Sequence, residues 1–232
     1  MSISNIYNKF YSNNKNYKFI ELNLTRWPRN RYEAALKFIN IKKTDKVLDV
    51  GCGRGDILHY VQNKTKNAYG IDISKGNIAV SKRLLNKQVK LSIQDITKKT
   101  KFSNNFFDII ILTDVIEHIP DKYSLFSELK RILRKGGIIV IGTPNVVKLR
   151  NRVSFLFGRY PYTSENRLII KNNKPILFDG GHIQWFTFKT LRELANQFNF
   201  KIIKQFGYGR YGKLHNLCPE LLSGTIGIIL KK

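Results

Sequence analysis

Cysteine is nearly missing from this chain of 232 residues: Cys52 and Cys218 stand 166 positions apart, with no Cys-x-x-Cys and no His ligand pattern beside them. A disulfide framework and a structural zinc site are thereby excluded, and a reducing cytoplasm is the expected compartment. No run approaches the roughly 18 apolar residues that would span a bilayer, and the opening M-S-I-S-N-I-Y-N-K-F lacks the apolar stretch of a signal peptide. A soluble protein is expected, with peripheral membrane contact left open. Acidic residues are scarce: 16 Asp and Glu against 41 Lys and Arg leave a net charge of +25, a balance that ordinarily points to nucleic acid or an anionic membrane. Alanine is scarcer still, 5 against 28 Lys, 29 Ile and 22 Asn. That skew is expected of an AT-rich coding sequence, so much of the charge reads as compositional background.

What is present is enough for a core. With 42% hydrophobic residues the chain reads as one globular domain, and disorder is excluded as its general state. Residues 1–45 are expected to form an N-terminal helical segment or lid, since Tyr32, Ala35, Leu36 and Ile39 fall at helical spacing over about 30–41. From residue 46 short β-branched runs alternate with helical stretches: K-V-L-D-V, D-I-L-H-Y-V, A-Y-G-I-D-I, the segment 78–85, then V-K-L-S-I. This pattern predicts an α/β fold, a parallel sheet with helices on both faces. The spacing of Leu125, Phe126, Leu129, Ile132 and Leu133 predicts a helix over 122–135, started by Pro120 and Asp121 and stopped by Gly136 and Gly137. The apolar runs 107–112 and 138–141 that flank it suit buried central strands. Residues 143–181 break the alternation with Pro144, Gly158, Pro161, Pro175 and the Gly180, Gly181 pair, and read as an insertion between the main domain, 46–142, and its completion, 182–232. A helix near 188–198, a strand over 200–206 and an apolar stretch over 224–230 restore regularity, and 143–232 holds 15 basic and 4 acidic residues.

V-L-D-V-G-C-G-R-G-D at 47–56 is a strand, a glycine turn and a helix start. Gly51 and Gly53 permit positive φ and let a ligand touch the backbone. A dinucleotide turn would place its third glycine at position 56, which is Asp56, while the third glycine here is Gly55. A carboxylate at the helix start would also repel a pyrophosphate. Asp72 follows Gly51 by 21 residues at a strand end, where a carboxylate can accept from both hydroxyls of a ribose. Asp95 follows the next strand and can accept from an exocyclic amine. These features describe an adenosine ligand without phosphates.

The residues V-L-D-V-G-C-G-R-G, Asp72 in G-I-D-I, Asp95 in Q-D-I, F-F-D-I-I-I-L-T-D-V-I-E-H-I-P at 106–120 and L-K-R-I-L-R-K-G-G-I-I-V at 129–140 resemble the class I S-adenosylmethionine-dependent methyltransferases, over roughly 41–142 and the tail after 182. The resemblance implies a three-layer, Rossmann-like sheet of seven strands, mostly parallel with the last antiparallel. It implies S-adenosyl-L-methionine as cofactor and S-adenosyl-L-homocysteine as product. Asp49, Gly51, Cys52 and Gly53 would surround the methionine and ribose, Asp72 and Ile73 the ribose, Asp95 and Ile96 the adenine, and Thr113 the cofactor's amino group. D-V-I-E-H-I-P and the G-H-I-x-x-F tail are similar to the small-molecule branch, including quinone-pathway and glycan-assembly enzymes, and T-P-N-V-V-K-L-R-N-R to members associated with surface polysaccharide.

Displacement at a sulfonium methyl releases a neutral thioether, so alignment in a dry site supplies most of the catalysis. A hydroxyl acceptor also needs a base. His118 and His182 are the candidates, each weighed against a structural role. No metal is assigned, although Asp114, Glu117 and His118 could share a divalent ion in the manner of the E-x-x-E-H pattern of the resembling quinone-pathway enzymes. Cys52 reads as a small residue against the ligand, and His59 and His215 as surface or packing residues. Lys148, Arg150, Arg152 and Arg159 lie among Val147, Leu149, Val153, Leu156 and Phe157; this is a solvated helix face, a segment for anionic lipid, or a grip on an anionic substrate. The leading expectation is O-methylation of a small-molecule, glycan or lipid-linked acceptor, which could be anionic, with 143–181 forming the acceptor side of the cleft. A nucleic-acid methyltransferase comes second, because T-D-V-I stands where amine methylators of adenine resemble N/D-P-P-Y and no Pro-Cys nucleophile occurs. A non-catalytic binder of the same cofactor is the third reading.

Overall fold

The computed structural model describes residues 17–160, 163, 168–171, 174–178, 181–209 and 212–232. The first 16 positions of the N-terminal segment and parts of the 143–181 insertion lie outside the described residues. The apolar runs become β1 (Val47–Val50), β2 (Ala68–Asp72), β3 (Lys90–Ile93), β4 (Phe107–Thr113), β5 (Leu133–Pro144), β8 (Lys201–Tyr208) and β9 (Thr225–Lys231). They form a seven-stranded sheet of order β3-β2-β1-β4-β5-β9-β8, in which β9 alone runs antiparallel to its neighbours. A separate hairpin pairs β6 (Leu168–Lys171) with β7 (Lys174–Phe178) inside the insertion.

Alternation along the central strands explains why both faces are covered. Ile110 and Leu112 of β4 pack with Leu125, Phe126 and Leu129 of α4 (Lys122–Ile132) and Leu191 of α6 (Phe188–Gln197). Ile109 and Ile111 point the other way, into a cluster with Ala35 of α1 (Arg31–Lys37), Ile57 of α2 (Asp56–Val61) and Ile78 of α3 (Lys75–Leu84). A strand buried on both sides reads as an unbroken apolar run, as 107–112 does. The helices begin where polar side chains cap them: Asn30 accepts from Glu33 N, Ser74 from Asn77 N, Asp121 from Ser124 N, and Thr187 and Thr190 form a reciprocal pair. Two further helices, α5 (Leu149–Leu156) and the short α7 (Pro219–Leu222), lie between β5 and β9.

One boundary differs from expectation. The helix predicted over 122–135 ends at Ile132, and Gly136 and Gly137 lie within β5, not after a helix. Leu133 already pairs with Phe107, and a register shift separates that pair from Ile109 with Ile138. Leu133 is buried as a strand residue, so its apolar character suited either assignment; pairing with β4 decided against the helix.

Strand order reverses between β1 and β4, which leaves a crevice at the carboxyl ends of the strands, the place where sheets of this kind hold ligands. Gly70 in β2 supports its rim from below. A Cβ there would meet Leu58 Cδ1 at 2.5 Å, Leu91 Cδ2 at 2.8 Å and Cys52 Sγ at 3.0 Å, so α2, β3 and the glycine turn all close on a position with no room for a side chain. Gly70→Ala is expected to destabilise the protein by about 1–3 kcal/mol, the range for overpacking a core. Urea unfolding at fixed pH measures it, and an unchanged midpoint would refute the close packing.

Candidate active site

After β1 the backbone turns through Gly51 at φ +69° and Gly53 at φ +53°, left-handed values that favour glycine. A Cβ on Gly53 would meet nothing within 4 Å, so this backbone stands open to a ligand. Gly51 N and Cys52 N both donate to Ile71 O, and Gly53 N donates to Asp72 Oδ2 at 2.9 Å. Asp72 Oδ1 accepts from Ser74 N at 2.7 Å. The carboxylate at the end of β2 is thus fixed between the glycine turn and the start of α3, with half-buried Ile73 beside it. Asp95 Oδ1 accepts from Thr97 N and Thr97 Oγ1, next to buried Ile96, and half-buried Thr113 ends β4 opposite Gly142.

Electrostatically this end of the sheet is acidic in a basic protein. Asp49 is 2% exposed. Burial first, then the carboxylates of Asp72 and Asp56, push its carboxyl well above the usual range, with Arg31 the opposing cation. Burial followed by Asp49 and Asp72 also raises the Cys52 thiol, which rules out a reactive thiolate. Carboxylates held this way favour a ligand that brings positive charge and no phosphate.

Beyond β4 the chain turns at Asp114, a non-glycine residue at φ +51°. Arg31 Nη1 of α1 pairs with Asp114 Oδ2 at 2.5 Å and Arg31 Nη2 donates to Tyr32 Oη at 2.8 Å. Glu117 is 1% exposed; Thr143 Oγ1 donates to its Oε2 at 3.1 Å, while its Oε1 has no hydrogen-bond partner and lies 4.0 Å from His182 Nε2. The backbone carbonyl of Glu117 accepts from Ile183 N and Gln184 N, which brings the segment just after the insertion onto this turn. His118 and His182 rings stand 5.0 Å apart. His118 Nδ1 lies 3.1 Å from Gly181 O; a carbonyl only accepts, so Nδ1 carries the proton and Nε2 the lone pair. Burial pulls His118 down to about 4, so it is neutral at pH 7.

Both predicted histidines therefore meet, with Glu117 as a third member. Ligand atoms of Glu117, His118 and His182 lie within 4.8 Å of one another, a donor set that a divalent cation could use. The set foreseen with Asp114 is not the one assembled, because Asp114 is turned to Arg31 and His182 takes its place. The glycine turn, Asp49 and Asp72 share the crevice edge. Sequence reading missed the N-terminal partners: Tyr17 Oη and Ile20 N both donate to Asp56, and the Arg54 guanidinium lies over the Tyr17 ring. It also missed Arg31. No spacing signal marks contacts between segments so distant, although the buried side of α1 was legible.

A reversed parallel sheet carrying this turn and these acids is the three-layer α/β architecture of the class I methyltransferase fold. A methyltransferase-domain family model matches residues 21–205, and the chain belongs to that family. Ubiquinone biosynthesis O-methyltransferase of Pelagibacter ubique is 31% identical over 139 residues, 56% of this chain and 58% of that protein. Phosphoethanolamine N-methyltransferase 3 of Arabidopsis thaliana is 36% identical over 107 residues, 44% of this chain and 22% of that protein. The chain thus spans less than two thirds of these relatives. An S-adenosylmethionine-dependent methyltransferase from Mesorhizobium loti shares the fold at TM-score 0.63 and 14% identity, over 86% of this chain and 96% of that one. One from Archaeoglobus fulgidus does so at TM-score 0.61 and 18% identity, over 87% and 92%.

The depressed His118 has a consequence for stability. Between the ordinary histidine value of 6.5 and about 4 the unfolded chain binds a proton that the folded chain refuses. Stability is then fully present above pH 6.5, falls as pH drops, and levels off below about 4. From neutral pH to pH 5 the wild type should lose about 2 kcal/mol more than His118→Asn, whose amide can still donate to Gly181 O. Urea titrations of the two proteins test this, and parallel losses would refute a buried neutral His118.

Proposed function

We propose that this protein methylates a hydroxyl oxygen of a small-molecule, glycan or lipid-linked acceptor, with His182 as base and Glu117 behind it. The carrying observation is the buried, unpaired Glu117 Oε1 facing His182 Nε2 at 4.0 Å. S-adenosylmethionine, when bound, supplies an electrophilic methyl group on a positively charged sulfur. Asp49, the glycine turn and Asp72 would hold it, consistent with their need for a cation. His182 Nδ1 already meets a hydroxyl, that of Thr163 at 2.8 Å. An acceptor hydroxyl that replaces it would give its proton to that nitrogen. The imidazolium so formed has its other N–H towards Glu117, whose carboxyl burial pushes well above the usual range; a cation beside it opposes that shift and favours the carboxylate, which then stabilises the charge. His118, fixed in its neutral tautomer, orients the acceptor through Nε2. His182 follows directly on the insertion, which would form the acceptor side of the cleft. Compartment follows the cysteine usage, a reducing cytoplasm, and among the described residues no helix is long and apolar enough to cross a membrane.

A cofactor-turnover screen over metabolite, nucleotide-sugar and RNA pools identifies the acceptor class. With an acceptor in hand, His182→Gln should lower kcat about 10²- to 10⁴-fold and leave cofactor affinity unchanged. Asp72→Ala should do the reverse, weakening cofactor binding by about 1.5–3 kcal/mol in calorimetry. Loss of turnover on chelation, restored by a divalent ion, would replace the base by a metal held on Glu117, His118 and His182. Selective methylation of RNA at physiological salt would move the acceptor class to nucleic acid.

A further inference from the structure

Helix α5 turns its apolar side chains to solvent, Phe155 on the Asn151 side included. Its Asn151 faces the protein, buried, and donates to Val146 O at 3.0 Å. On the opposite side Leu149, Val153, Leu156 and Phe157 recur at i, i+4, i+7 and i+8, one stripe of a 3.6-residue helix. Their exposures are 53%, 44%, 83% and 74%. Arg150 and Arg152 occupy the two shoulders of this stripe, both exposed, and exposed Arg159 follows. No acidic residue occurs between positions 146 and 160. Exposed Tyr160 extends the patch to Trp185, whose ring lies 6.2 Å from it. Trp185 is three residues from His182.

An apolar ridge turned to solvent between two arginines is poorly suited to gripping a soluble anion, since Leu156 and Phe157 would gain nothing from one. It is suited to an interface that is apolar within and negatively charged at its surface, where arginines keep their guanidinium groups among headgroup phosphates while their stems follow the ridge. Tyr and Trp favour that same boundary. We infer that α5 and its flank, residues 148–160 with Trp185, dock this protein peripherally on an anionic phospholipid surface. The ridge enters the headgroup region, and the Trp185 side of the segment that carries His182 faces the lipid. This inference stands apart from the acceptor reading, because docking needs no turnover.

The test is flotation of the full chain with vesicles of phosphatidylcholine alone or mixed with phosphatidylglycerol. The wild type should float with the mixed vesicles and much less with the neutral ones. Leu156→Asp with Phe157→Asp should weaken binding at least about tenfold, and Arg150→Gln, Arg152→Gln and Arg159→Gln together should do likewise. Removing the same charge elsewhere, by Lys43→Gln, Lys82→Gln and Lys87→Gln, should change binding less than about twofold. Inorganic phosphate should not displace the protein beyond the effect of equal ionic strength. An unchanged thermal midpoint and cofactor affinity establish that each variant folds. As an independent readout, Val153→Trp should shift its emission to the blue on mixed vesicles. The inference is overturned if the wild type does not float, if the lysine and arginine triples lose binding equally while the Asp pair keeps it, or if the Asp pair instead turns a dimer into a monomer in sedimentation.

Discussion

Everything at the working end of this molecule depends on the reversal of strand order between β1 and β4. Two parallel strands whose outgoing chains turn in opposite directions cannot both cover the space above them, and the gap so left lies at the carboxyl ends. The glycine turn leaves from β1, Asp72 from β2, and Asp114, Glu117 and His118 from β4. The core on either face is generic; Ile and Leu of similar size would serve at most of its positions. The gap is not generic: Gly51 is held by Ile71 of β2, Asp72 by the glycine turn, Asp114 by Arg31 of α1, Glu117 by Thr143 of β5 and His118 by Gly181 O.

Those partners divide the gap into two parts of different character. On the β1 and β2 side the carboxylates are crowded and backbone amides supply the hydrogen bonds. On the β4 and β5 side the Glu117 carboxyl, pushed up by burial, faces imidazoles, with Thr143 of β5 and the returning segment at 181–184 closing it. Arg31 lies between the two, paired to Asp114 and acting on Asp49. In the proposed function one side would recognise the cofactor and the other the acceptor, and a single guanidinium of the leading helix α1 acts electrostatically on both.

Much of the sheet was legible because its strands are buried on both faces and announce themselves as continuous β-branched runs. The glycine turn was legible for a different reason: backbone that needs positive φ leaves few residue choices. The end of α4 was not, since Leu133 satisfies a helical stripe and a strand pair equally well, and only the neighbouring Phe107 distinguishes them. The roles of the predicted cofactor residues were inferred from a resemblance, and the structure adds their placement along one edge. Glu117 was seen as a ligand candidate; its buried position behind His182 depends on how the insertion returns, which no local pattern encodes. Arg31 and Tyr17 belong to the same class of long-range contact.

Consider finally what the crowded acids do over a full cycle. A sulfonium loses its charge when its methyl group leaves, so reactant and product differ by one positive charge at nearly constant shape. In the proposed reaction Asp49, with Asp72 and Asp56 nearby, would attract the first and have no such attraction for the second. The raised proton affinity of Asp49 would favour a proton in place of the lost cation. The acid cluster would then act as an electrostatic ratchet, in which consumption of the charge that drew the cofactor in also loosens the spent molecule for release.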